Sequence, residues 1–221
     1  MPSSPDVLLE PRKSPVQARS TASVEAILHA TIQVLLRVGK ERLTTTRVAY
    51  RAGVSVGTLY QYFPNKKSLL QAVLKRHLEG VTQTVERVCR EQKGNSLQQM
   101  GKALVTSFLE AKMKDVKTSA ALYSVSADVD GARIVQQIAE RINKAIVEML
   151  ASAPEPLTKD PRMIVSMIQP AMAGVTRILL ESAAPEKEFE TLQQELVFFV
   201  CSYLEACSAG ASVVKKQISR R

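Results

Sequence analysis

Histidine and cysteine are scarce, at two and three residues of 221, and the first function classes to fall away are those that need them. His29 and His77 are too scattered for a metal site. Cys89, Cys201 and Cys207 are odd in number and lack the paired spacing of zinc ligands. At helical positions such cysteines serve as small apolar fillers, and a redox role would fall to Cys201 and Cys207, which share a helix. No GxSxG, HExxH, GxxxxGKS/T or GxGxxG pattern occurs, so no catalytic residue, metal or cofactor is assigned. Strand-like alternation is rare as well. Glycine and proline act as punctuation between stretches of helical period from Val24 to Cys207, which makes the expected fold class all-α. No stretch reads as the uninterrupted apolar run of a membrane span, and prolines with an acidic residue stand where a signal peptide would have its apolar core. The expectation is a cytoplasmic protein that makes no membrane contact.

What is abundant is basic charge, and its placement is informative. The formal net charge is +9. Residues 1–92 hold 14 Lys and Arg against 7 Asp and Glu, whereas residues 93–221 hold 16 against 14. Four of those 16 sit in the tail from Lys215. Positive charge gathers toward the N-terminal end, as attraction to a polyanion requires. A hydrophobic content of 45% over this length suffices for a real core.

Residues 44–70, TTTRVAYRAGVSVGTLYQYFPNKKSLL, pack three helical segments and their start signals into one short stretch. Thr44 or Thr45 can cap a helix running through Arg51, with the small Val48 and Ala49 facing inward. Gly53 stops it by accepting a left-handed backbone, and Val54 tucks under the turn. Ser55 caps a second helix, Val56 to Phe63, which Pro64 ends. Asn65 can then cap a third from Lys66. A helix, a glycine-containing turn and a shorter helix form a helix-turn-helix. On the second helix Leu59 and Phe63 point inward, while Gly57, Thr58 and Gln61 point away, flanked by Tyr62 on one side and by Val56 and Tyr60 on the other. This outer face carries no acid and suits the major groove.

The run AGVSVGTLYQYFPNKKSLL, preceded by TTTRVA, resembles the DNA-binding signature of the TetR (tetracycline-repressor) family of bacterial regulators. The resemblance covers about residues 19 to 75. It implies DNA contacts by Thr45, Thr46, Arg47, Ser55, Val56, Gly57, Thr58, Tyr60, Gln61, Tyr62 and Lys66. Lys66 and Tyr62 of these, together with Lys67, are expected on phosphates. Arg47 is the expected guanine reader provided that no ion pair holds it, and Gln61 can meet either an adenine edge or a phosphate.

Around this unit the chain divides into a flexible arm at 1–18, the helix-turn-helix domain at 19–66, a connecting helix at 67–92, a helical domain at 93–208 and a basic tail at 209–221. Arg12, Lys13 and Arg19 of the arm either reach a minor groove or belong to a solvated leader. Helix 1 is expected from Thr21 or Val24 to Val38, stopped by Gly39, with Leu28, Leu35 and Leu36 needed for folding. Further helices are expected at 96–113, 117–126, 131–152, 160–183 and 187–207, with a kink at Pro170.

The last two helices are apolar on two sides and need two partners. The resemblance supplies the second as a symmetry mate, which makes Ile168, Ala171, Val175, Val197, Phe198, Cys201 and Leu204 the expected homodimer interface. Phe199 is expected in the core stripe. A cavity for a small apolar or amphipathic effector is the remaining implication, and Phe108, Met113, Leu122, Tyr123, Met149, Met167, Gln169 and Met172 are its candidate lining. The implied whole is a ligand-responsive regulator, repressor or activator, on a near-palindromic double-stranded DNA operator. An architectural DNA binder without a ligand is the alternative.

Overall fold

The computed structural model describes residues 18–208, and among them every regular element is helical. Nine α-helices follow in order: α1 (Ala18–Arg42), α2 (Thr45–Ala52), α3 (Val56–Tyr62), α4 (Lys66–Glu91), α5 (Leu97–Met113), α6 (Val116–Ser126), α7 (Gly131–Leu150), α8 (Pro161–Glu181) and α9 (Pro185–Ala206). Their ends lie where the capping residues stand in the sequence. Thr44 Oγ1 accepts the Arg47 amide at 3.3 Å, Ser55 Oγ accepts that of Thr58 at 2.9 Å, and Asn65 Oδ1 accepts that of Ser68 at 2.8 Å. Ser96 and Gln99 complete a capping box on α5. Gly53 takes the left-handed conformation, φ 68°, and Val54 N–H donates to Ala49 O at 3.0 Å beneath the turn. Gly39 is left-handed in φ too, at 74°, but it breaks α1 without ending it, because the chain resumes helical geometry to Arg42. Pro170 lies inside α8, which runs through it as one helix.

The described residues pack as two compact units. One takes those up to His77 together with Lys117–Ile134; the other takes Leu78–Val116 and the residues from Val135 on. In the first unit, Ile27, Leu28 and Leu35 of α1 meet Val48 and Ala49 of α2, Leu59 of α3 and Leu69 and Val73 of α4 in a core where each is 6% exposed or less. Burying each of the Val, Leu and Ile side chains is worth about 1.5–3 kcal/mol. Leu36 does not join them. It is 45% exposed, on the far side of α1 from Leu35, so its expected role in folding is corrected.

The first turns of α4 tie this unit together. Lys66 Nζ donates to Lys40 O at 2.6 Å, one of the carbonyls in the last turn of α1. Lys67 pairs with Asp130 at 2.7 Å, and Gln71 Nε2 donates to Val129 O at 2.8 Å. These bonds anchor the turn after α6, where Asp130 is left-handed at φ 52°. Gly131 follows by necessity, since a Cβ there would lie 2.4 Å from Ser126 O. Ser119 Oγ and His77 Nε2 meet 3.1 Å apart and add a further tie between α6 and α4.

In the second unit α5 packs chiefly against α9, with α8 against both. The closest approach is at Gly101, where a Cβ would lie 2.9 Å from Leu204 Cδ1 and 3.3 Å from Cys201 Sγ. On α7, Ile138, Ile142, Ile146 and Met149 form one buried stripe. Its opposite side pairs with α4 through Arg141, which meets Glu79 at 2.8 Å and Glu86 at 3.0 Å. Exposed pairs of this kind contribute little to stability. Two helices, Ser20–Arg42 and Pro161–Glu181, are long and apolar enough to cross a membrane by length and composition, contrary to the expectation that no stretch would be. Helical periodicity had divided these segments into faces, which hides a high average; each buries one face inside its own unit.

Replacing Lys66 by Ala leaves Lys40 O without its charged donor. A loss of about 1.5–3 kcal/mol is expected, the usual contribution of a hydrogen bond to a charged group. Thermal unfolding followed by circular dichroism measures it, and an unchanged midpoint would show that this bond contributes nothing.

Candidate nucleic-acid interface

The face that could meet DNA is built by the turn between α2 and α3. Gly53 sets the angle between the helices, and the hydroxyls of Thr45 and Tyr60 meet 3.0 Å apart across it, so the start of α2 is fixed beside the outer face of α3. Gly57 and Gln61 are exposed, and Val56 and Tyr60 are 36% and 40% exposed. Ser55 and Thr58 are less free than their types imply: their hydroxyls bond to each other at 2.8 Å while Ser55 caps the helix. Around Gly57 there is room within the protein, since a Cβ would meet only Ser55 Oγ, at 3.7 Å. Its lack of a side chain therefore serves nothing inside the fold.

Three expected contacts are placed differently. Tyr62 is 8% exposed and belongs to the core with Leu59 and Phe63, because it follows Leu59 by three positions and so shares its side of α3. The Lys66 ammonium is half-buried and bonded to Lys40 O, and Lys67 is paired with Asp130, so neither stands free for a phosphate. Thr46 and Arg47 are exposed at the start of α2. No ion pair holds Arg47 among the described residues, but its Nη1 donates to Arg42 O at 2.9 Å, which draws the guanidinium toward α1. Arg12 and Lys13 lie outside the described residues, as does the side chain of Arg19.

Sequence reasoning passed over a crevice of about 520 Å³ on the opposite flank of α2. Arg37, Arg42, Arg47 and Arg51 line it together with Gln33, Val34, Val38 and Tyr50. The available signal was Arg47 and Arg51 four apart on one helix, facing Arg37 on another. In the second unit a smaller crevice of about 370 Å³ between α4 and α7 mixes Glu86, Arg90, Lys93, Arg141 and Glu148, charges that largely pair with one another. Cys89, also there, has its thiol pushed up to about 12 by burial, and burial raises Cys201 too. Thiolate chemistry is disfavoured at both.

The candidate effector residues fall in both units. Leu122 and Tyr123 belong to the first unit and the other six to the second. Leu122, Met149 and Met172 are packed at 2% exposure or less and Phe108 is buried, whereas Tyr123 and Met167 are 43% and 53% exposed. Met113 and Gln169 are half-buried. The candidate dimer residues also divide. Ile168 and Leu204 are fully buried inside the protein and Cys201 lies against α5, donating to Gln98 O at 3.6 Å. Ala171, Val175 and Val197 are half-buried, and Phe198 is 70% exposed. Phe199, expected inside, is 50% exposed. The uncovered apolar surface thus runs through Met163, Met167 and Ile178 of α8 and Phe198 and Phe199 of α9.

Residues 27–73 match the family described as bacterial regulatory proteins, tetR family, and residues 96–204 match the tetracyclin repressor-like C-terminal domain. The HTH-type transcriptional repressor KstR of Mycolicibacterium smegmatis is 43% identical over 61 residues, 28% of this chain and 30% of that protein. The nucleoid occlusion factor SlmA of Haemophilus ducreyi is 34% identical over 77 residues, 35% of this chain and 37% of that protein. These matches span only about a third of either relative. A solved TetR-family transcriptional regulator from Streptomyces coelicolor shares the fold, with a TM-score of 0.62 and 21% identity over 84% of this chain and 99% of that one. A transcriptional regulator from Rhodococcus does likewise, at 0.66 and 20% over 83% and 97%. With both its helix-turn-helix and its C-terminal region matched, this chain belongs to the TetR family of bacterial transcriptional regulators, which bind DNA and are not enzymes.

Proposed function

We propose that the protein is a homodimeric repressor that binds a near-palindromic operator and is released by a small apolar or amphipathic effector. The observation that carries this reading is the uncovered apolar surface of α8 and α9, with Phe198 70% and Met163 58% exposed. Aromatic and methionine side chains of this kind, contiguous on two helices, mark a protein interface. A second copy presenting the same surface covers them as a four-helix contact with two-fold symmetry, and a two-fold pair of reading helices matches a palindrome. An effector that favours one spacing of the two heads over another shifts the equilibrium away from the operator-bound form. Such a protein works in the cytoplasm, where bacterial DNA is.

Within each half-site, base reading falls to the outer face of α3, above all Gln61 with Gly57 beside it, while Arg47, drawn toward Arg42 O, serves a phosphate. A second reading is an architectural DNA-binding protein that acts without an effector. Electrophoretic shift with a metabolite library separates the two, since only the first reading predicts release.

Phe198→Glu would bury an unpaired charge in the contact at a cost of several kcal/mol. Sedimentation is expected to show a monomer; an unchanged dimer would remove this surface from the interface. Sites selected from random duplexes should differ between the two DNA-contact variants. Gln61→Ala relaxes preference at one base pair per half-site by roughly 1–3 kcal/mol. Arg47→Ala weakens all sequences alike, and an altered motif there would return Arg47 to the bases.

A further inference from the structure

We propose that the arginine-lined crevice between α1 and α2 is a second phosphate-binding surface, which grips the DNA duplex flanking the sequence that α3 reads. Four guanidiniums, those of Arg37, Arg42, Arg47 and Arg51, surround a space of about 520 Å³ whose lining contains no carboxylate. Among the described residues none of the four forms an ion pair. Arg51 Nε donates to Gln33 Oε1 at 2.6 Å and Arg47 Nη1 to Arg42 O at 2.9 Å, both neutral acceptors that orient a guanidinium without cancelling its charge. Like charges gathered round one concavity repel each other and focus a positive potential into it, so the arrangement is relieved by an anion from outside.

Val34 and Val38 line the same crevice and offer apolar surface to arginine stems, leaving the charged ends to project. Tyr50 stands 89% exposed beside them with a phenol able to donate to a phosphate oxygen. Continuity identifies the anion. Arg47 belongs both to this lining and to the start of α2, where the Thr45 hydroxyl meets that of Tyr60 on α3. Arg51 follows Arg47 by one helical turn, about 5.4 Å along the axis, so the basic surface extends away from the bases along α2. A duplex seated on α3 and continuing past its half-site supplies phosphates along that direction. This inference rests on the reading of α3 as the base-contacting helix.

The test uses the full chain and a duplex selected by it from random DNA, either ended at the recognised sequence or extended on each side by about ten scrambled base pairs, one helical turn. By fluorescence anisotropy the extended duplex is expected to bind roughly tenfold tighter, with a salt slope steeper by about 0.9 for each added phosphate contact. The double variant Arg37→Gln/Arg51→Gln should lose that advantage while keeping the short-duplex affinity and the preferred sequence; Arg37→Lys/Arg51→Lys should retain part of it. Equal wild-type affinity for the two lengths overturns the inference, and so does a glutamine variant that weakens both lengths equally. Thermal stabilisation by sodium tripolyphosphate together with equal affinity for the two duplexes would assign the crevice to a free anion instead. Sequence-specific binding of the short duplex in any of these cases leaves the reading role of α3 standing; its absence removes both.

Discussion

The first two turns of α4 fix the geometry on which the DNA-reading unit depends. Asn65 caps the helix, Lys66 reaches back to the carbonyl of Lys40, Lys67 holds Asp130, and Gln71 holds the carbonyl of Val129. Individually these are modest interactions, and the exposed ion pair is the weakest of them. Their effect is geometric: two chain segments distant in sequence converge on one piece of helix. The carbonyl of Lys40 lies in the last turn of α1, beyond the reach of a helical donor, and the lysine that sequence alone would send to DNA bonds to it.

Charge and apolarity are distributed by the same economy in the two units. Where acids and bases are interspersed, as between α4 and α7, they pair and leave little net field. Where arginines stand without acids, as beside α2, the field is left for an external partner. In the second unit apolar side chains exceed what α5 can cover, so α8 and α9 each carry an inner face and an outer one. Ile168 and Leu204 belong to the inner, Met167 and Phe198 to the outer.

Much of the fold was legible because its punctuation is chemical. Thr44, Gly53, Ser55, Pro64 and Ser96 each impose a local conformation that no tertiary context overrides here, and the helix ends fall within a few residues of where those residues put them. The fates of side chains were less legible. Tyr62, Leu36 and Phe199 lie near the border of a helical face, where a rotation of one residue position decides between core and solvent. Lys66 was less legible for a different reason: its partner is a backbone carbonyl 26 residues away, at the end of α1, and sequence does not say which side chain reaches it. The Arg37 to Arg51 cluster escaped because it forms only when α1 and α2 are laid side by side.

Gly101 fixes the distance between α5 and α9 through what it lacks. Leu204 Cδ1 and Cys201 Sγ already occupy the space a methyl group would need. Contact this close has no slack: interiors at this packing density resist compression and pass a displacement on. A shift of α5 by a fraction of an ångström would therefore reappear in α9. One turn of helix separates Cys201 from the outward ring of Phe198, so the shape that surface offers to the outside is set from the interior, by a residue that never meets solvent.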